Sequence, residues 1–309
     1  MNKENQKIIG ITGIKGFIGS HMANTLIEQG YKVVGFDNDS HSSYIPINKE
    51  VEIFWGDIRN QSDCNELVSR VDAVIHLAAE ISVDKSIEDP QRVIDVNIIG
   101  TKNMLEACRD MSTPILIAGS SEEYGTAQTD IQDENHPLDG QSPYAATKVA
   151  ADRLGFAYFK TYDLDVRIVR AFNVCGEGQG YDSYGAVIAI FANKINNGEC
   201  IKIFGDGTQT RDYTHVSDVV EGYITILERG TAGEVYNIAT GEDWSVKYIA
   251  NKLQEIAGKK VDVVHVAPRK GEVDKLRGDA YKLRGLGWEY KINFDQALTR
   301  IWNNIKETE

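Results

Sequence analysis

Short runs rich in β-branched residues alternate with longer amphipathic runs through the first half of this 309-residue chain. Apolar strands that alternate with helices are typical of a parallel sheet covered on both faces, so we predict a doubly wound α/β fold. The predicted strands are residues 7–12, 31–36, 51–55, 73–77, 115–118 and 166–169. The predicted helices are residues 17–29, 60–70, 90–110 and 144–162.

The alternation weakens after about residue 172 into glycine-rich loops, short strands and helices such as 246–257. We therefore expect residues 1–172 to form the main domain. Residues 173–309 are expected to form a smaller lobe that faces a substrate, with the chain free to cross back to the first domain. The polar stretch 126–142 carries turn-forming residues and is predicted to be a loop that approaches the site.

The composition argues against several classes of protein. The chain has 33 basic and 46 acidic residues, a net charge of −13, which disfavours binding to nucleic acid or to an anionic membrane. No apolar run reaches the ~18 residues that a membrane helix needs, and the polar start of the chain lacks a signal peptide's apolar stretch. The four cysteines and six histidines show no metal-binding spacing, so we expect no metal and a cytoplasmic location.

A glycine-rich turn, T-G-I-K-G-F-I-G, directly follows the first predicted strand and contains Gly13, Gly16 and Gly19. Glycine allows a tight turn and lets a diphosphate approach the backbone amides at the start of the next helix, here Phe17 and Ile18. The position of this turn between a strand and a helix predicts a dinucleotide site, with the Rossmann-like architecture that such sites use.

Acidic residues follow the next two strands. Asp37 ends the second strand about 20 residues after the turn, where a carboxylate accepts hydrogen bonds from an adenosine ribose. Because Asp37 would repel a 2′-phosphate, we expect NAD rather than NADP; a loop-capping role is the alternative. Asp57 and Ile58, in G-D-I, are candidates for contacts with adenine, and an N-cap of the following helix is the alternative for Asp57.

Tyr144 and Lys148 lie four residues apart in S-P-Y-A-A-T-K, on one face of a predicted helix. A tyrosine with a pKa near ~10 is a poor acid–base group at neutral pH unless a cation stabilises its phenolate, and Lys148 is spaced to do so. Ser120, in G-S-S-E-E-Y-G after the preceding strand, could bind the same substrate oxygen. These residues predict a catalytic set in which Tyr144 is the base.

With these motifs, the chain resembles the extended short-chain dehydrogenase/reductase family, and within it the NAD-dependent nucleotide-sugar epimerases and dehydratases. The resemblance also includes H-L-A-A-E (76–80), F-N-V (172–174) and I-F-G-D-G-T-Q-T-R-D-Y (203–213). It implies that NAD is contacted by Leu77, Ala78, Ala79 and Asn97. It implies that a nucleoside-diphospho-sugar is bound by Ser82, Asn173, Arg211 and Glu272.

Three further expectations accompany the resemblance. Arg211 would grip the diphosphate, with an ion pair to Asp206 or Asp212 as the alternative. Glu272 would bind the nucleotide ribose, with a solvated surface charge as the alternative. The helices at 90–110 and 144–162 would pair across a two-fold axis in a homodimer.

Glu122 is the residue that helps to distinguish which reaction of this family the chain catalyses. In the family that this stretch resembles, sugar dehydratases and a decarboxylase branch carry glutamate here, whereas 4-epimerases carry a small or hydroxylated residue. A ketone at the sugar's C4 acidifies the C5 hydrogen, so the carboxylate of Glu122 can remove it and trigger loss of the C6 hydroxyl. We therefore predict a dehydratase that acts on a UDP-hexose or a UDP-N-acetylhexosamine.

Two alternatives remain open. The first is a 4-epimerase in which Glu122 takes no part in the reaction. Ser121 favours this alternative, because dehydratases of deoxythymidine-diphospho-glucose carry at its position an aspartate that protonates the leaving hydroxyl. The second alternative is a reductase of 4-keto-6-deoxy sugars, which would depend on added NADH. Glu123 is expected to be a surface carboxylate.

Overall fold

The computed structural model describes residues 6–40, 42–181, 186–268 and 273–307. Its strands are β1 (Ile8–Thr12), β2 (Lys32–Asp37), β3 (Glu52–Trp55), β4 (Ala73–His76), β5 (Ile115–Ala118), β6 (Val166–Ala171), β7 (Asn173–Cys175), β8 (Ile201–Phe204), β9 (Thr210–His215), β10 (Val235–Ile238), β11 (Asp243–Ser245), β12 (Val263–Val266) and β13 (Lys275–Leu276). Seven of them form a parallel sheet in the order β10-β6-β5-β4-β1-β2-β3. The order reverses between β1 and β4, which opens a crevice at the carboxyl ends of these strands.

Helices cover both faces of the sheet. They are α1 (Phe17–Glu28), α2 (Gln61–Val68), α3 (Val83–Glu88), α4 (Pro90–Val93), α5 (Thr101–Met111), α6 (Pro143–Tyr162), α7 (Val187–Asn196), α8 (Val216–Arg229), α9 (Val246–Ala257), α10 (Tyr281–Gly285) and α11 (Phe294–Glu307). One buried core joins Ile9 and Ile11 of β1 to α1 and α8, and a second joins Val74 of β4 to α2, α5 and α6. The sheet is therefore apolar on both faces, and the predicted doubly wound fold is confirmed.

The helix predicted over 90–110 is interrupted. It begins as α4, widens into a π-helical turn at Ile94–Gly100 and continues as α5. Gly100 lies so close to the neighbouring loop that a Cβ there would be 2.4 Å from Ile58 Cδ1. The π-helical turn carries Asn97 inward toward the site, as such turns often do with functional residues.

Several elements of the second half of the chain fold outside the main sheet. Strands β11, β9 and β13 form a sheet with β7 added to β9, and β12 pairs with β8. A third core packs Tyr213 and Phe294 among the apolar residues of α7, α9 and α11. The chain also returns to the main sheet, where β10 pairs with β6 at its edge and α8 packs in the core of β1. No helix among the described residues is both long and apolar enough to cross a membrane.

Candidate active site

The glycine turn packs against the loop that follows β4. Gly13 has φ +70°, its amide donates to the Phe36 carbonyl at 2.8 Å, and a Cβ there would be 2.9 Å from the Ala78 backbone. A Cβ on Gly19 would be 2.2 Å from the Gly13 oxygen. Because Gly16 is the N-cap residue of α1, no side chain caps the amides of the first helical turn. This backbone cradle suits an anionic diphosphate.

The carboxylate of Asp37 is held at the end of β2. It is 7% exposed, and its two oxygens accept hydrogen bonds from the amides of Lys15 at 2.9 Å and Asp39 at 2.8 Å. The turn thus orients Asp37 beside the cradle, where an adenosine ribose would lie. The cradle and this carboxylate together fit NAD, which the sequence predicted.

Asp57 and Ile58 differ from expectation in part. The Asp57 carboxylate accepts from the Arg59 guanidinium at 2.7 Å and from Asn38 at 3.0 Å, and these contacts, chiefly with Arg59, hold its pKa well below the usual range. The N-cap of α2 is Asn60, so the alternative role for Asp57 was wrong. The Ile58 side chain is 4% exposed and packs in the core, which leaves only its backbone for contact with adenine.

The loop after β4 is tied to the rest of the site by buried side chains. Thr12 Oγ1 accepts hydrogen bonds from the amides of Leu77 and Ala78, both at 3.1 Å, and so places these residues and Ala79 next to the glycine turn. Asn97 is 2% exposed, accepts from the Glu80 amide at 2.8 Å, and donates to Thr147 at 3.0 Å and to the Glu80 carbonyl. Both amide hydrogens of Asn97 are used within the protein, so it holds the loop on α6 rather than donating to a cofactor.

The turn after β5 carries Ser120 and two glutamates. Ser120 is the N-cap of a 3₁₀ turn over Ser121–Tyr124, and its Oγ accepts from the Glu122 amide at 3.2 Å. Glu122 is half-buried, whereas Ser121 is 3% exposed. Glu123 is fully buried, which overturns the prediction of a surface carboxylate. The two neighbouring glutamates of this tight turn therefore differ in exposure.

Tyr144 begins α6 after Ser142 and Pro143, which cap and start the helix. The phenol is buried and hydrogen-bonded to the Ser120 side chain. Burial raises the pKa of Tyr144, the bond to Ser120 acts in the opposite direction, and the negative charges of Glu122 and Glu123 raise the pKa further. Glu122 is thus close enough to the phenol for its charge to be felt there.

The predicted influence of Lys148 on this phenol is not seen. Its ammonium group donates to the Ala118 carbonyl instead, and burial lowers the pKa of Lys148, while Glu123 and Asp152 act to raise it. In this arrangement the pKa of Tyr144 is governed by burial, by Ser120 and by the charges of Glu122 and Glu123 rather than by Lys148.

The four predicted substrate residues lie apart along the chain. Ser82 is the N-cap of α3 and accepts from the Lys85 amide at 3.1 Å. Asn173 begins β7, and its buried Oδ1 has no hydrogen-bond partner among the described residues. Arg211 lies within β9 rather than in a loop, and it donates to the Thr210 carbonyl at 2.9 Å. Glu272 lies outside the described residues.

Neither predicted alternative partner of Arg211 pairs with it in the contacts described. Asp206 accepts from Thr208, and the buried Asp212 accepts from Thr240 at 2.7 Å and from the Gly241 amide at 2.8 Å. Burial raises the pKa of Asp212 to about 6. The guanidinium of Arg211 therefore retains donors for a phosphate group.

Sequence reasoning missed two residues that shape the site. Thr12, the last residue of β1, fixes the loop of Leu77 and also binds His76 at 2.8 Å. The side chain of Glu123 accepts a hydrogen bond from the Ser120 amide in a capping box. The S-x-x-E pattern of Ser120 and Glu123 in the sequence could have predicted this contact.

Comparisons with known proteins agree with this geometry. A family model described as GDP-mannose 4,6 dehydratase matches residues 11–301. A putative UDP-glucose 4-epimerase of Methanocaldococcus jannaschii is 34% identical over 303 residues, which cover 97% of this chain and 98% of that protein.

Solved structures are similar over their whole length. The UDP-glucose 4-epimerase of Thermotoga maritima, solved with UDP-glucose, has a TM-score of 0.94 at 32% identity and covers 97% of this chain and 99% of its own. The dTDP-glucose 4,6-dehydratase of Streptomyces venezuelae, solved with NAD, has a TM-score of 0.92 at 30% identity, with 97% of each chain covered. The chain therefore belongs to the extended short-chain dehydrogenase/reductase family of NAD-dependent nucleotide-sugar epimerases and dehydratases.

Proposed function

We propose that this protein is a nucleoside-diphospho-sugar dehydratase that removes water across C5 and C6 of a UDP-N-acetylhexosamine or a UDP-hexose. The observation that carries the proposal is the position of Glu122. It shares one short turn with Ser120, and its charge raises the pKa of Tyr144. A second proton acceptor beside the C4 base is what elimination requires and simple inversion at C4 does not.

The cofactor would lie in the crevice between β1 and β4. The backbone at Gly13, Gly16, Phe17 and Ile18 would hold the diphosphate, and Asp37 would accept from the adenosine ribose. Asp57 and Ile58 would border the adenine, and the loop at Leu77, Ala78 and Ala79 would border the rest. NAD, when bound, supplies a hydride acceptor for C4 and later returns the hydride to the sugar.

Tyr144 would act first, as the base that takes the proton of the C4 hydroxyl. Ser120, already bonded to the phenol, would bind the same oxygen and lower the pKa of Tyr144. Lys148 lies one helical turn further along α6, and moving its ammonium group from the Ala118 carbonyl toward the phenol would stabilise the phenolate. The C4 ketone would form as the C–H bond breaks.

Glu122 would act second, on the proton at C5. Removal of this proton leaves an enolate that expels the C6 hydroxyl, and the departing oxygen needs a proton to leave as water. Ser121 offers a hydroxyl rather than a carboxylic acid, so we assign that proton to Glu122, which has just received one from C5. The hydride would then be delivered to C6, and C5 would take a proton from solvent by way of Glu122.

The substrate would be held mainly by side chains of the smaller lobe. Arg211, with guanidinium donors still available, would bind the diphosphate. Asn173 has a buried oxygen without a hydrogen-bond partner in the described ranges of the chain, and this oxygen suits a hydroxyl or amide donor of the substrate. Ser82 and Glu272 would complete the binding of the sugar nucleotide.

Mass spectrometry tests the proposal. Purified protein is incubated in heavy water with UDP-N-acetylglucosamine, UDP-glucose, dTDP-glucose and GDP-mannose, without added NADH. We expect one product that has lost the mass of water and carries deuterium at C5. The variant Glu122→Gln should still reduce bound NAD but release no water. Normal elimination by this variant would overturn the role of Glu122.

A 4-epimerase is the second candidate. The relatives from M. jannaschii and T. maritima are named UDP-glucose 4-epimerases, and Ser121 supplies no separate acid for the leaving hydroxyl. An epimerase would give a product of unchanged mass without deuterium at C5. A reductase of 4-keto sugars, by contrast, would show no turnover until NADH is added.

We also propose that two copies associate through α6 and through the helical segment that runs from the π-helical turn at Ile94–Gly100 into α5. Apolar side chains are exposed along this side: Ile94 at 38%, Ile99 at 45%, Met111 at 41% and Tyr162 at 48%. Apolar groups repeated on two neighbouring helices suit a self-complementary interface about a two-fold axis.

A further inference from the structure

Four charged side chains lie buried beneath the candidate active site. Glu123 and Asp152 are 0% and 1% exposed, and both contact Arg170, which is 2% exposed. Lys148, 6% exposed, is the fourth member, and both carboxylates act on its pKa. Buried charges are retained only when each is paired, so this group must be organised by specific contacts.

Glu123 is the member that reaches the turn of Ser120. Its Oε1 accepts from the Ser120 amide at 2.7 Å, and its own amide donates back to the Ser120 side chain, besides a turn bond to the Ser120 carbonyl at 3.2 Å. This reciprocal capping box fixes the turn on which both Ser120 and Glu122 stand.

The other oxygen of Glu123 lies beside Arg170 of β6. Oε2 lies 3.3 Å from Arg170 Nε, and it has no hydrogen-bond partner within the described part of the chain. Arg170 Nη2 binds Asp152 of α6 at 2.9 Å, and Asp152 follows Lys148 by one helical turn. The guanidinium therefore joins the turn after β5 to the catalytic face of α6.

We propose that Glu123 is a positioning residue that locks the Ser120–Glu122 turn onto α6 and, once it is ionised, favours the charged form of Lys148. It does not touch the substrate, because it is buried on the far side of the turn. The inference rests on the proposed roles of Ser120, Tyr144 and Lys148, and it adds a residue that acts through all three.

The charges around Glu123 determine the direction of its effect. Burial raises its pKa, Asp152 raises it further, and Arg170 and Lys148 oppose this. In return, ionised Glu123 raises the pKa of Lys148 and of Tyr144. The titratable and charged groups that face it are Asp152, Lys148, Tyr144 and Tyr223 on helices, Arg170 on β6, and Tyr124 on its own turn.

The variant Glu123→Gln tests the proposal, because the amide oxygen can still accept from Ser120 while the charge is lost. The protein with NAD bound is labelled with ¹³C at lysine Cε, and the Lys148 signal is assigned by its loss in Lys148→Arg. We expect the pKa of Lys148 to fall by roughly one unit in Glu123→Gln, as for removal of a nearby opposite charge.

Glu134→Gln serves as the matched control. Glu134 is a half-buried carboxylate that also has a raised pKa, and its carbonyl accepts from Arg170 at 3.3 Å, but it does not act on Lys148. This control should leave the pKa of Lys148 unchanged. An unchanged pKa of Lys148 in folded Glu123→Gln would overturn the proposal, whatever reaction the enzyme catalyses.

Kinetics provide a second readout that a purely structural residue would not move. Once a substrate is known, the pH profile of NAD reduction should shift as a whole to lower pH in Glu123→Gln, because the pKa values of Tyr144 and Lys148 both fall. If Glu123→Gln does not fold, the proposal is tested by the pH titration of the Lys148 signal in the wild-type protein. The Lys148 signal should then show two inflections, as expected for coupled groups, and a single inflection would refute the coupling.

Discussion

The phenol of Tyr144 is hydrogen-bonded to the side chain of Ser120, which joins the first turn of α6 to the turn after β5. Two elements that are far apart in sequence thus converge at one point above the carboxyl edge of the sheet. The pKa of Tyr144 is nevertheless raised, so the phenol is protonated at neutral pH. Its pKa must fall before Tyr144 can act as a base.

Replacing Tyr144 by Phe should remove that base while preserving the packing of the ring. We expect the rate of NAD reduction by substrate to fall by about 10²–10⁴, the usual contribution of a positioned proton acceptor. Stopped-flow absorbance of the reduced nicotinamide measures this step. Tyr281→Phe, at a tyrosine that is 75% exposed, is the control and should react at the wild-type rate.

Replacing Gly19 by Ala should damage the cradle. The new Cβ would be 2.2 Å from the Gly13 oxygen, and backbone on both sides cannot yield without moving the turn. We expect a loss of about 1–3 kcal/mol in the free energy of unfolding, together with weaker binding of NAD. Urea denaturation and calorimetric titration measure the two effects.

The control for this change is Gly285→Ala. Within the described part of the chain, no atom lies within 4 Å of a Cβ placed on Gly285, and this residue is the last of α10. Equal losses in both variants would show that steric contact at Gly19 is not the cause.

Replacing Asp37 by Ser should relax the choice of cofactor. The carboxylate is held at the ribose position by the amides of Lys15 and Asp39, and a 2′-phosphate would meet it as a like charge. We expect the ratio of affinities for NADP and NAD to rise by about tenfold or more. Fluorescence titration with each reduced cofactor measures the ratio, and an unchanged preference would remove Asp37 from this role.

The raised pKa of Glu123 should appear in the pH dependence of stability. Burial, the largest cause, raises this pKa from 4.5 to about 8, so the unfolded chain gives up this proton at lower pH than the folded protein. Between these values the folded state binds more protons, and the Glu123 contribution to stability falls as the pH rises. Glu123→Gln removes this effect.

The free energy of unfolding of Glu123→Gln, relative to the wild type, should therefore increase from about pH 5 to about pH 8, by more than about 1 kcal/mol. Denaturant titrations at a series of pH values provide the comparison. A difference that stays constant with pH would mean that Glu123 is already ionised throughout this range.

A charge on the π-helical turn that precedes α5 should separate the proposed dimer. Ile99→Asp places a carboxylate where an apolar side chain is 45% exposed, and we expect the protein to elute as a monomer in size-exclusion chromatography with light scattering. Val264→Asp, at a residue 48% exposed on β12, is the control and should not change the molar mass.

Local sequence patterns predicted the fold well because each strand and helix is defined by neighbouring residues. The strand at Ile115–Ala118 and the helix at Val246–Ala257 have the predicted bounds. The helix predicted over 90–110 failed at its centre, because the close approach of Gly100 to Ile58 and the contacts of Asn97 are tertiary. No periodicity within the helix reports such contacts.

The sequence was sufficient to predict which residues belong to the candidate site, but not how their side chains are placed. Glu122 and Glu123 are identical in chemistry and adjacent in sequence, yet one is half-buried near Tyr144 and the other lies under the turn. Only the 3₁₀ geometry of the turn distinguishes them. Likewise, the binding of Lys148 to the Ala118 carbonyl depends on how α6 packs against β5.

The pairing of β10 with β6 bears on how proteins of this shape can change during evolution. A fragment that stopped before Val235 would leave the backbone groups along one edge of β6 without hydrogen-bond partners. Such an exposed edge favours the addition of a strand from another molecule. Residues 173–309 therefore cannot be exchanged between paralogues as an independent domain, because β10 belongs to the main sheet. New sugar specificities should arise instead from point changes and loop insertions, with the interleaved framework left whole.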